Sequence, residues 1–122
     1  DRIKLMQILL NLIINAQEAM ARNVGPRIMK IRTWVIDANH INISVADNGI
    51  GMSEETLKNI FNYGFTTKKD GHGFGLHASA VAAQQMGGKL EVFSEGTGFG
   101  TTFTLSLISQ IEASASSAES SI

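Results

Sequence analysis

Between Leu5 and Met20 the chain reads LMQILLNLIINAQEAM, an apolar run broken at helical spacing by two asparagines, Asn11 and Asn15. A helix that is apolar over most of its circumference has to be covered by other elements, so this run fixes the interior of the fold. Lys4, Gln7, Asn11, Asn15, Glu18 and Arg22 return on one stripe, while Ile8, Leu9, Leu12, Ile13, Ala16, Ala19 and Met20 occupy the rest. The ordinary explanation of such a stripe is a solvated face. Solvated faces, however, usually carry Lys and Glu, and Asn is a mediocre helix former. An Asn side chain offers a neutral oxygen to a hard cation and an amide to a phosphate. On this stretch alone both readings stand.

The rest of the chain supplies the cover. The first helix is expected from about Arg2 to Ala21, ending in Asn23, Val24, Gly25 and Pro26, where Gly permits the turn and Pro bars continuation. Arg27 to Ile36 and Ile41 to Ala46 alternate in polarity around Asp37, Ala38, Asn39 and His40, the pattern of an antiparallel hairpin. Ser53 reads as the N-cap of a short helix through Phe61, with Glu54 and Glu55 in its first turn. Asn62 to Phe74 has no period and reads as a long loop, of the kind that is usually functional or mobile. Leu76 to Met86 is expected to be a helix, ended by Gly87 and Gly88. Lys89 to Ser94 and Thr101 to Ile108 form a second hairpin about a glycine-rich connection. This order predicts an α+β fold: a two-layer sandwich whose sheet, expected to be mixed, carries about three helices on one face. Residues 1–108 form one domain, and 109–122 a Ser- and Ala-rich tail with little to bury, expected to be disordered.

With 122 residues, 43% of them hydrophobic, the chain can bury a core, and its net charge of -1 gives no support to a general polyanion binder. Nucleic acid is therefore not an expected partner. The absence of cysteine excludes disulfides and thiolate metal sites. The longest apolar run is too short to span a bilayer and no leader pattern opens the chain, so a soluble unit without direct membrane contact is expected, its parent's anchor, if any, lying elsewhere.

Chemistry concentrates at three places. Asp47, Asn48, Gly49, Ile50, Gly51 and Met52 follow a strand directly. A carboxylate there faces a cleft and the glycines let backbone approach a flat ligand, although a lone Asp-Asn-Gly is also what an Asx turn needs. Gly71, His72, Gly73, Phe74 and Gly75 run into the start of a helix, where unpaired amides form an anion site. Thr66, Thr67, Lys68 and Lys69, upstream on the same loop, bring hydroxyls and positive charge, with one of the two lysines expected to be plain solvated charge. Gly96, Gly98 and Gly100, with Thr101 and Thr102, are read as mainly hairpin architecture, with Thr102 in reach of a base. His40 reads as surface, His72 and His77 as unsuited to a metal, and Trp34 and the phenylalanines as core.

NLIINA, DNGIGM, FNYGFTTK and GHGFGL, in that order, resemble the catalytic ATP-binding domain of sensor histidine kinases, within the superfamily of DNA gyrase, the heat-shock chaperone ATPases and the mismatch-repair ATPases. The resemblance covers about Asp1 to Leu107. It implies the Bergerat-type ATP-binding fold, with ATP and Mg as ligands. Asn15 would be the magnesium ligand and Asn11 a phosphate or metal partner. Asp47 would bind the adenine amino group over a slot at Gly49 and Gly51. Phe61, Phe65, Thr67 and Lys68 would belong to a lid, and Gly71, Gly73 and Gly75, with Phe74 and Leu76, would cradle phosphates. Catalysis would rest on Asn11, Asn15 and Lys68.

Hydrolysing members such as gyrase place a glutamate at the position of Asn11 to activate water. A neutral amide there implies that ATP is kept for a protein nucleophile, a histidine on a separate dimerisation domain of the same parent, which then serves a response-regulator receiver domain. The unit would work in the cytoplasm. Two departures accompany the likeness. Glu18 stands where many relatives carry a basic residue, and the family usually begins with a strand or two before the first helix, so the sheet is expected to lack an edge strand. The rival expectations are a self-contained ATPase driving conformational change and a degenerate nucleotide-binding interaction module.

Overall fold

The computed structural model describes residues 1–65 and 75–108. The Asp1 carboxylate accepts hydrogen bonds from the amides of Ile3 (2.8 Å) and Lys4 (3.2 Å), satisfying two donors that a helix start leaves open. Helix α1 follows over Arg2–Ala19 and closes at Met20, just short of the expected end. Strands β1 (Met29–Asp37) and β2 (His40–Asp47) form the first hairpin. Its turn is fastened by Asp37, whose Oδ1 accepts from the Asn39 amide and meets His40 Nδ1, both at 2.8 Å. Ser53 caps α2 (Glu54–Asn59) by accepting from the Thr56 amide at 3.1 Å. Helix α3 (Gly75–Gln85) leads through Gly87 and Gly88 into β3 (Lys89–Phe93) and β4 (Thr101–Ile108).

The sheet order is β1-β2-β4-β3 and every pairing is antiparallel, which corrects the expectation of a mixed sheet. The helical connection leaving β2 delivers the chain to the far edge as β3. The second hairpin then returns β4 into the gap, antiparallel to both neighbours. Register places Val45 opposite Phe103 and Ile43 opposite Leu105, with Leu90 on the other side of Leu105. Val45, Leu90, Phe103 and Leu105 meet Ile8, Leu12 and Ala16 of α1 and Ala83 of α3, giving one core between sheet and helices. The two-layer α+β sandwich is therefore present, with α1 over β2 and α3 over β3 and β4.

Two expectations about apolar residues change, and β1 adds a further exposed pair. The α1 run is not covered all round: Leu10 is 58% and Ile14 41% exposed, on the side away from the sheet. Phe103 is buried, but Phe93 and Phe99 are exposed, and Trp34 sits half-buried beside Arg32, whose guanidinium carbon lies 5.2 Å from the ring centroid. On β1, Ile31 and Val35 lie opposite Val45 and Ile41, hence on the helix-facing side, yet both stay largely exposed because α1 and α3 lie over the other strands.

Candidate functional site

The end of α1 is joined to the end of β2. The Ile50 amide donates to the Ala19 carbonyl at 3.0 Å, and Gly49 packs so closely that a Cβ there would stand 2.3 Å from the same oxygen. Gly51 has φ +71, and a Cβ on it would lie 2.1 Å from the Gly96 carbonyl. Both glycines thus admit chain against chain, a requirement separate from any approach to a ligand. The connection between β3 and β4 locks onto this segment. Gly98 N donates to Ile50 O (2.6 Å), while Ser94 Oγ accepts from Met52 N (3.0 Å) and donates to Gly100 O (2.6 Å). Asn48 holds the other flank, accepting from Ile28 N (3.0 Å) and Asn23 Nδ2 (3.0 Å) and donating to Pro26 O (3.0 Å).

Asp47 is the half-buried acid this frame presents. Its Oδ1 accepts from the Gly49 amide at 2.8 Å. Loss of water around it raises its pKa above the ordinary carboxylate value, against the lowering effect of hydrogen bonds from the Gly49 and Thr101 amides. Register sets Thr101 opposite Asp47. Thr101 is 4% exposed and shares the helix-facing side with Phe103 and Leu105. Thr102 lies opposite Ala46 and Phe93 on the other face, so the threonine brought beside Asp47 is Thr101. A cavity of about 150 Å³ adjoins Asp47 between Phe93, Phe99 and Thr102. That is small for a nucleotide.

Ala19 touches the Asp47 loop, and Asn15 and Asn11 stand one and two helical turns back along α1. The Asn15 side chain donates to the Asn11 carbonyl at 2.9 Å. Since a carbonyl only accepts, the amide nitrogen is fixed there and the orientation of the Asn15 oxygen is set with it. Asn11 Nδ2 donates to Ser79 Oγ at 3.0 Å, joining α1 to α3. Gly75 makes this possible, because a Cβ at the start of α3 would stand 2.8 Å from Asn11 Oδ1. Leu76 packs on the core and Phe65 is half-buried. The structure therefore aligns Asp47, Gly49, Asn15, Asn11 and Gly75 along one path from the sheet end to the start of α3. Thr66, Thr67, Lys68, Lys69, Gly71, His72, Gly73 and Phe74 lie outside the described residues.

Sequence reasoning gave no role at the site to Thr101, Ser79, Ser94 and Asn48. The alternation of Thr101 with Phe103 and Leu105 is a signal for the first. The other three are tied through contacts between distant segments and leave no mark in local pattern.

Over residues 1–111 the chain matches the family of histidine kinase-, DNA gyrase B- and HSP90-like ATPases, and it belongs to that family. It is 36% identical over 107 residues to the sensor protein FixL of Bradyrhizobium diazoefficiens and 39% identical over 107 residues to the signal transduction histidine-protein kinase AtoS of Escherichia coli. Each match takes 88% of this chain but only 21% of FixL and 17% of AtoS, so the chain spans about a fifth of these relatives. Full-length ShkA, solved in complex with AMPPNP, superposes with a TM-score of 0.74 at 28% identity, over 88% of this chain and 22% of ShkA. The fold is that of the ATP-binding unit of histidine kinases. ATP is the ligand that membership implies.

Proposed function

We propose that this chain is the catalytic ATP-binding unit of a sensor histidine kinase. It binds ATP with Mg²⁺ and donates the γ-phosphoryl group to a histidine on a separate dimerisation domain of its parent, which passes it to a response-regulator receiver domain. The observation that carries the reading is Asp47, a half-buried carboxylate beside Thr101, from which α1 leads through Asn15 and Asn11 to the start of α3. An ionised carboxylate there accepts from the exocyclic amine of adenine, and the Thr101 hydroxyl supplies a second polar group at the same edge. The triphosphate then extends along α1 toward α3, whose first amides and dipole favour negative charge. That ShkA, which shares this fold, was solved in complex with AMPPNP supports nucleotide binding by a unit of this kind.

The donor set suits magnesium rather than a tightly caged ion. Among the described residues no group of three His, Cys, Asp or Glu side chains is present, so Mg²⁺ would take the Asn15 amide oxygen together with phosphate oxygens and water. Bound there, the metal neutralises charge on the phosphates. Asn11 carries no titratable base, and its amide is occupied by Ser79, which leaves no group at that point of α1 to deprotonate water. The acceptor histidine supplies the nucleophile: its ring nitrogen bonds to the γ-phosphorus as the bond to the ADP oxygen breaks. Positioning is the work left to this chain.

Residues 1–108 are the functional unit in this reading, with 109–122 as a tail, and its place is the cytosolic side of the parent. Among the described residues no helix is long and apolar enough to cross a membrane. The test is calorimetric titration with AMPPNP, with and without Mg²⁺, on the wild-type chain and Asp47→Asn. Saturable binding that weakens without metal and is lost in the variant supports the assignment. Equal binding by the variant removes it, and rapid phosphate release from ATP by the isolated chain would favour a self-contained ATPase.

A further inference from the structure

The first turns of α3 are held from two sides. Toward α1 the tie is Asn11 to Ser79, with Gly75 abutting the same asparagine. Toward the segment after α2 the tie is His77. Its Nδ1 lies 3.0 Å from the Phe61 carbonyl, and its ring meets Tyr63 edge-on at 5.2 Å between centroids and 81° between planes. A carbonyl only accepts, so Nδ1 carries the proton and donates. Phe61 is itself anchored, its ring packing edge-on against Phe103 of β4 at 6.2 Å. Its carbonyl falls just past the end of α2, beyond the C-cap Ile60 and outside the hydrogen bonds of the helix. His77 therefore does more than fill space: it connects a core-anchored acceptor to the end of α3 that borders Asn11.

We infer that His77 is a positioning residue for the phosphate side of the nucleotide site, acting through the start of α3. The inference rests on the nucleotide assignment above. Without this tie the first turn of α3 has to be ordered by the ligand, and that ordering is subtracted from triphosphate affinity. Adenosine, held at Asp47 at the other end of the path, does not depend on it.

The experiment is paired calorimetry on this chain with Mg²⁺–AMPPNP and with adenosine, for wild type, His77→Ala and His77→Asn. The Asn amide nitrogen occupies the place of Nδ1 and keeps a donor there while removing the rest of the ring. His77→Ala is expected to weaken AMPPNP about five- to tenfold, the size of one hydrogen bond, with adenosine unchanged. His77→Asn is expected to restore most of the loss. Equal weakening of both ligands, or of neither, overturns the inference, as does a His77→Asn chain no better than His77→Ala. A wild-type chain that binds neither ligand refutes the nucleotide assignment itself, and this proposal with it.

Discussion

Replacing Gly51 by alanine tests whether the loop carrying Asp47 is as tightly seated as the geometry says. At φ +71 an alanine costs about 1–2 kcal/mol by conformation alone. Its Cβ would also stand 2.1 Å from the Gly96 carbonyl, a backbone atom that cannot swing aside, so the connection between β3 and β4 must move away. That movement breaks Gly98 N to Ile50 O and Met52 N to Ser94 Oγ, each worth about 1 kcal/mol net. The expected loss is about 3–4 kcal/mol, which is large for one methyl group. Two controls isolate the clash. Gly98 has φ +91 but open space around it, so Gly98→Ala should lose about 1–2 kcal/mol. Gly25 has neither constraint, and Gly25→Ala should change stability by less than about 1 kcal/mol, with a gain possible through the unfolded chain. Urea unfolding with a common slope ranks the three. If Gly51→Ala lost no more than Gly98→Ala, the close seating of the loop on the β3–β4 connection would be refuted.

Asp47 gives a prediction of opposite sign for stability and for binding. Its folded pKa is raised, so the folded state holds the proton more tightly than the unfolded one. The stability this contributes is complete below the unfolded value and is lost as pH rises through the folded value. At pH 7 Asp47→Asn should therefore unfold at higher urea than wild type while failing to bind nucleotide. Wild-type AMPPNP affinity should be level near neutrality and fall on acidification, with a midpoint above 3.8, as calorimetry at a series of pH values would show. Asn15→Ala should abolish the difference in AMPPNP affinity with and without Mg²⁺. Leu12, with no exposed surface, should cost about 3–4 kcal/mol as Leu12→Ala in urea unfolding.

Much of this architecture is legible in the sequence because each element carries its own local signal. The period of the first run, the Ser53 cap, the alternation of four strands and the Gly87–Gly88 stop all lie within a few residues of what they specify, and the observed bounds differ from the expected ones mainly at the ends. What is not legible is relational. A mixed and an antiparallel sheet share the same strand patterns, and only the path of the chain from β2 to the far edge decides between them. Asp47 stands out as a carboxylate at a strand end. The choice between Thr101 and Thr102 needs the register of β4 against β2, and Ser79 needs the crossing of two helices. Phe93 and Phe99 read as core by residue type, yet Phe93 points from the sheet face away from the helices and Phe99 lies in the β3–β4 connection, leaving both exposed.

The bare outer strand has a consequence for how the molecule responds to its ligand. Apart from its pairing with β2 and Met29 at its start, which packs on the core, β1 has little to hold it, since Ile31 and Val35 gain little from burial. The strands flanking Asp47 and Thr101, by contrast, are clamped beneath both helices. Opening of the sheet is therefore expected to cost least at β1 and most at the strands that carry the carboxylate. Amide exchange is accordingly expected to separate the molecule into a soft margin that AMPPNP scarcely protects and a stiff centre whose opening AMPPNP suppresses.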